Sequence, residues 1–153
     1  MRALRAIGYW RVPQYEWRAD IREMVYIGWR PGWTAYPQAI VEALGPYKPD
    51  PNVLSYLRSA TLFKEWRGLS HCRFECGVSD EEMGYREFTD GIWVWPEGSV
   101  HYVEKHDLPL PPEFLETIAQ HSGRPPTVDV SSDVPVDRDF WEAWFARLAA
   151  GHG

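Results

Sequence analysis

The side chains best suited to chemistry are two cysteines and two histidines: Cys72 and Cys76, then, after 24 intervening residues, His101 and His106. Cys-x3-Cys followed by His-x4-His offers two thiolates and two imidazoles, a donor set that suits zinc. Zinc favours four ligands in a tetrahedron, and short pairs separated by a small folded unit are its usual sequence form. Two thiolates balance the dication. With both imidazoles bound no position is left for a reacting water, so the pattern predicts a structural ion rather than a catalytic one. Gly77, directly after Cys76, permits the sharp turn of a metal-binding knuckle. Other readings stay open at this level. Free cysteine is often a small buried apolar residue, so the four could form a Cys/His core, and Cys72 with Cys76 could be a redox pair. His71 is a possible substitute for one of the other histidines. Histidines five apart lie about 140° apart around a helix of ~3.6 residues per turn. They converge only where the helix distorts or ends near His106, and Pro109 predicts such an end.

The elements that must position these groups are legible around them. Asp90-Gly91 suits a two-residue type I′ hairpin turn, and the flanks Tyr85–Thr89 and Ile92–Trp95 are rich in strand formers. That loop predicts Thr89 opposite Ile92 and Phe88 opposite Trp93. Strand alternation then groups Arg86, Phe88, Trp93 and Trp95 on one face, with Glu87, Thr89, Ile92 and Val94 on the other. Pro96 stops the second strand, and Ser99 to His106 reads as a short helix. Knuckle, hairpin and helix together, residues 66–106, form a treble-clef-like ββα centre.

Around this centre the chain reads as one α+β domain, residues 1–153, with a central hairpin or short antiparallel sheet packed by several short helices. Thirteen Pro and twelve Gly imply many turns and short elements. Pro37–Leu44 is a helix begun by proline and ended by Gly45, and Asp50-Pro51 opens another. A strand follows Ala60. Phe114, Leu115 and Ile118 share a helical face ahead of Gly123. The last helix, 137–150, carries an apolar stripe of Phe140, Trp141, Trp144, Phe145 and Leu148. A short helix is predicted from Asp20 through Val25, and a short strand at 127–130.

Nine Trp, eight Tyr and six Phe are a heavy aromatic load, suited to cores and binding surfaces alike. The net charge of −6 is spread as +2 over residues 1–57, −3 over 58–106 and −5 over 107–153. A general nucleic-acid binder needs a strong cationic excess, which no segment supplies, so no nucleic-acid partner is expected even though treble-clef-like modules can bind one. No stretch approaches the roughly 18 apolar residues of a membrane span. The start carries basic residues without a signal-peptide apolar run, and two cysteines do not make a disulfide framework, which together predict a cytoplasmic protein. His101-Tyr-Val-Glu-Lys-His106 lacks metalloprotease spacing, and no phosphate-binding glycine loop or nucleophile elbow occurs. Glu87, Asp90, Glu97 and Glu104 read as a turn residue and ordinary surface charges.

Leu54 to Ile118 resembles a family of small, uncharacterised bacterial proteins. The resemblance is carried by Tyr56-Leu-Arg58, Trp66-Arg-Gly-Leu-Ser70, Cys72-Arg-Phe-Glu-Cys-Gly77, Thr89-Asp-Gly-Ile-Trp-Val-Trp-Pro-Glu-Gly98, His101-Tyr-Val-Glu-Lys-His106 and Leu110-Pro-Pro-Glu-Phe114. This chain departs from that pattern at Ser99 and Val100 and in its longer knuckle. The resemblance implies a bacterial source and carries over no activity.

Small size, acidity and abundant aromatics without a catalytic motif favour a non-catalytic bacterial binding protein, for instance an immunity- or regulator-type protein with a protein partner. Tyr85, Trp93 and Trp95 are the predicted recognition residues. The alternative is a metal-dependent hydrolase, its metal held by Cys72, Cys76 and a histidine, with Glu97 or Glu104 as general base.

Overall fold

Proline and glycine divide the chain into thirteen short elements among the described residues, which in the computed structural model are 2–31 and 33–151. In order they are β1 (Leu4–Ala6), β2 (Pro13–Arg18), β3 (Glu23–Trp29), α1 (Pro37–Leu44), α2 (Pro51–Ser59), β4 (Thr61–Glu65), α3 (Asp80–Met83), β5 (Arg86–Thr89), β6 (Trp93–Pro96), α4 (Ser99–His106), α5 (Pro112–Gln120), β7 (Val136–Asp137) and α6 (Asp139–Gly151). Proline occupies the first turn of α1, α2 and α5, where its missing N–H is not needed. The Asp50 side chain accepts a hydrogen bond from the Asn52 amide at 2.8 Å, capping the helix that Asp50-Pro51 opens.

Five strands form a mixed sheet in the order β4-β5-β6-β1-β7. The β4–β5 and β5–β6 pairs are antiparallel, whereas β1 lies parallel to both β6 and β7. Neither β1 nor β7 is apparent from the sequence. Both are too short for an alternating pattern to be read, and their pairing is long-range. The predicted strand at 127–130 is not formed. That stretch carries no regular structure and is tied to the sheet edge where the Val128 amide donates to Thr61 Oγ1 at 3.1 Å.

The β5–β6 hairpin forms with a different register from the expected one. Thr89 pairs with Val94 and Phe88 with Trp95, two residues beyond the predicted partners. Asp90 causes the shift. Its carboxylate accepts from the Ile92 and Trp93 amides at 2.9 and 2.7 Å, and Gly91, at φ +92°, takes the left-handed position of the turn. A slip of two residues leaves every side chain on its original face. Trp93 and Trp95 therefore stay together, and that face packs on the helices.

This face is the main core. Trp93 and Trp95, each 1% exposed, pack with Tyr56, Phe114 and Val103 from α2, α5 and α4. The Trp93 indole donates to Thr117 Oγ1 at 2.9 Å and that of Trp95 to the Leu57 carbonyl at 3.1 Å. Placing these two tryptophans on a recognition surface is thereby corrected: a hairpin strand covered by helices buries whatever shares that face. Trp141, Trp144 and Phe145 of α6 join the same core, so the predicted apolar stripe covers the fold. On the sheet's other side Leu4, Ala6, Phe63 and Val94 form a smaller cluster under Val130, Val134 and Val136.

β2 and β3 form a separate antiparallel ribbon. The short helix expected at Asp20–Val25 is absent, because residues 19–22 are the loop of this ribbon and β3 starts at Glu23. Alternating β-formers on both sides of a four-residue turn outweigh the capping preference of Asp20. Tyr15 pairs with Tyr26 and Trp17 with Met24, so all four share one face, and each is about half exposed. No described helix is long and apolar enough to cross a membrane.

Candidate metal centre

The four donors predicted from spacing meet. One ligand atom from each of Cys72, Cys76, His101 and His106 lies within 4.8 Å of every other. Cys72 Sγ is 3.3 Å from His106 Nε2, and Cys76 Sγ is 3.4 Å from His101 Nε2. Metal–sulfur and metal–nitrogen bonds of about 2.3 and 2.0 Å at tetrahedral angles imply sulfur–nitrogen edges of about 3.5 Å, close to both distances. The four residues are thus near enough to hold one metal ion.

Local sequence explains the convergence. Between the cysteines the chain turns back on itself, with the Glu75 amide donating to the Cys72 carbonyl at 3.0 Å. Glu75 and Gly77 both adopt positive φ, +52° and +88°, so the glycine is where the knuckle needs it. Arg73, inside the knuckle, is held from two sides: its amide donates to the Tyr102 hydroxyl at 2.9 Å, and its carbonyl accepts from Gln38 Nε2 at 2.6 Å. Phe74 stacks on the His106 ring, centroids 4.1 Å apart and planes 3° from parallel. α4 supplies both histidines, and the five-residue spacing is accommodated because the helix ends there. His106 is its last residue, and Asp107 takes the left-handed conformation at φ +54°. The histidine rings finish 5.0 Å apart, centroid to centroid. His71 is not among the four; its carbonyl accepts from Arg73 Nη1 and from the Tyr102 hydroxyl.

Electrostatics prepares the imidazoles to bind a cation. Burial holds both below the ordinary histidine range, and for His106 the neighbouring His101 adds to the effect. They are neutral at pH 7, the ligating form. Burial raises the Cys72 thiol, so a bound metal must displace its proton. The sign for stability follows. A histidine whose folded pKa is lowered leaves the native state with fewer protons than the unfolded chain, so stability is lost as pH falls from about 6.5 through the lowered value. Protons and metal compete for the same atoms, and metal retention is expected to fall steeply below about pH 6. Titrating metal release with a chromogenic chelator at stepped pH checks this; retention unchanged down to pH 4 would contradict it.

The two glutamates considered as general bases, Glu97 and Glu104, line a cleft of about 310 Å³ that His101 also lines. Both are engaged. Glu97 accepts from Arg86 Nη2 at 2.6 Å and from the Tyr85 and Arg86 amides; Glu104 pairs with Arg58 at 3.0 Å. Burial alone would raise Glu97, but its hydrogen bonds from Arg86 and the backbone outweigh that and hold it below the usual carboxylate range. The Arg58 hydrogen bond holds Glu104 low as well. A carboxylate so stabilised is a poor base at neutral pH.

Of the other two carboxylates, Asp90 fills its expected turn role and Glu87 departs from its expected place as a surface charge. Asp90 is buried and accepts from the Tyr56 hydroxyl at 2.7 Å in addition to its turn bonds. Glu87, 4% exposed, accepts from the Tyr9 hydroxyl and the Trp66 indole. The signal for Glu87 was in the strand alternation, which puts it on the face of Thr89 and Val94, both buried. Of the predicted recognition residues only Tyr85 is exposed, and it lines a cavity with Tyr9, Trp33 and Trp66. The chain matches no family model, no curated protein and no solved structure.

Proposed function

We propose that the chain is a non-catalytic bacterial binding protein in which a zinc ion, held by Cys72, Cys76, His101 and His106, fixes the knuckle to α4. The observation that carries this reading is the meeting of four donors of the two types zinc favours, enough to complete a tetrahedron without water. A hydrolase would need an open coordination position and a free base, and the engagement of Glu97 and Glu104 by arginines counts against one.

The binding role is supported by the β2–β3 ribbon. An isolated two-stranded ribbon is marginal in water, yet this one exposes Tyr15, Trp17, Met24 and Tyr26 together. Aromatic side chains and methionine are enriched at the centres of protein interfaces. The partner is a protein, and an immunity-type role fits, the net charge of −6 steering a basic toxin toward a ribbon whose own charges are nearly balanced.

Affinity capture from a bacterial host tests the reading with the wild type beside the double variant Trp17→Ser/Tyr26→Ser. A stoichiometric partner is expected on the wild type and not on the variant, whose metal content stays unchanged because neither side chain belongs to the core. No stoichiometric partner, or equal retention by both proteins, would overturn it.

A further inference from the structure

A cavity of about 270 Å³ lies where the chain leaves β1, between β5–β6, the start of α4 and the segment after β4. Its walls are aromatic and fixed. Tyr9 and Trp66 both donate to the buried carboxylate of Glu87, which thereby sets the two rings in place. Trp33 and Tyr85 add further ring surface. The close approach of the chain at Gly8 is obligatory: its φ is +78°, and a Cβ there would come within 2.7 Å of Ser99 Oγ. Ser99, the first residue of α4, also lines the cavity, and its buried hydroxyl has no hydrogen-bond partner among the described residues.

The charge around this cavity is opposite to that of the whole protein. Arg30, Arg73, Arg86 and Arg138 line it, with Glu87 the one acidic side chain among the lining residues. Arg86 is paired with Glu97, but Arg30, Arg73 and Arg138 form no ion pair with a described carboxylate, in a chain holding 22 acidic residues against 16 basic ones. Arg30 and Arg138 lie over the Trp33 ring, 5.0 and 4.3 Å from its centroid. Such stacking orients a guanidinium while leaving its N–H fork open, and that fork matches a carboxylate in plane and spacing. Ring surface beside it suits a flat apolar group. The volume falls just below the usual range for drug-sized ligands, about 300 Å³ and upward, which limits the ligand to one or two fused rings.

We propose that this cavity binds a small flat organic anion of the aromatic carboxylate class, its ring against Trp66 and Tyr85 and its carboxylate held by Arg138 and Arg30, which Trp33 orients. The site is separate from the four metal donors but not isolated from them. Arg73 and Tyr102 line the cavity and are hydrogen-bonded to each other in the knuckle.

Isothermal titration of the full chain, as purified, with 2-naphthoate tests the proposal. Two controls separate its components: 2-naphthamide keeps the shape without the charge, and cyclohexanecarboxylate keeps the charge without the flat ring. Saturable binding of 2-naphthoate to one site is expected, at least about tenfold tighter than 2-naphthamide, the worth of one charge-assisted hydrogen bond, and tighter also than cyclohexanecarboxylate, which lacks the flat ring that aromatic walls favour. Arg138→Gln and, separately, Arg30→Gln are each expected to weaken 2-naphthoate about tenfold and to leave 2-naphthamide unchanged. Two variants are used so that a folding defect in one leaves the other decisive, with the melting temperature as control. No saturable heat with 2-naphthoate, equal binding of the amide, or indifference to both substitutions would each overturn the proposal. The titration reads the cavity, so a protein that proves to hold no zinc, or captures no protein partner, can still pass it.

Discussion

Cys76→Ser is expected to abolish zinc retention and to lower the stability of the zinc-loaded protein by about 4 kcal/mol, the stabilisation given by a ligand at about a thousand times its dissociation constant. At roughly 2–4 °C per kcal/mol for a chain of this size, the melting temperature should fall by about 10 °C. Cys76 is the informative position because it is exposed, whereas Cys72 is buried. Removing an exposed thiol sacrifices no core packing, so in the metal-free state wild type and variant should melt together. That pairing separates a metal ligand from a cysteine that merely packs. Thermal denaturation with and without chelator reads both quantities, and a stability loss that persists after the metal is removed would contradict the assignment. The free energy of such a site is folding free energy, since four donors are not assembled in the unfolded chain.

Trp95→Ala is expected to cost about 3–5 kcal/mol, the range for truncating a large aromatic in a core. Trp95 is 1% exposed, is stacked with Tyr56 at 6.0 Å between centroids, and donates to the Leu57 carbonyl. Its loss leaves both a void and a buried carbonyl without that donor. A recognition residue would behave oppositely, losing partner affinity while stability held. Denaturant unfolding gives the free energy, and a change below about 1 kcal/mol would refute the core placement, since that is the scale of ordinary surface substitutions.

The meeting of the four donors is legible in the sequence because both halves of the set are local. Three residues separate the cysteines and four the histidines, and the Asp-Gly turn between announces the hairpin that folds one pair onto the other. Their convergence despite awkward helical spacing follows from the end of α4 at His106, which Pro109 foreshadows. The hairpin register differs by two residues from the one a two-residue loop predicts, because the Asp90 carboxylate takes the Ile92 and Trp93 amides and moves the turn one position along. The faces survived the slip, since strand side chains alternate with a period of two.

What the sequence hid is long-range. β1 has only three residues, and its place between β6 and β7 depends on partners about 90 and 130 positions away. The ribbon at residues 13–29 is obscured by Pro13, Gly28 and its bulge, and Asp20 resembles a cap although it belongs to a turn. Glu87 looked like a surface charge because its two donors, Tyr9 and Trp66, are brought to it only by the tertiary fold. Trp93 and Trp95 illustrate a general ambiguity: a tryptophan on a strand serves a core or an interface equally well, and the covering helices decide which.

Zinc K-edge X-ray absorption on protein purified without added metal is the most direct measurement of the central claim. About one zinc per chain is expected, with two sulfur neighbours at about 2.3 Å and two nitrogen neighbours at about 2.0–2.1 Å. A metal-free protein with two freely titrating thiols, or a zinc shell completed by oxygen in place of sulfur or imidazole nitrogen, would contradict it.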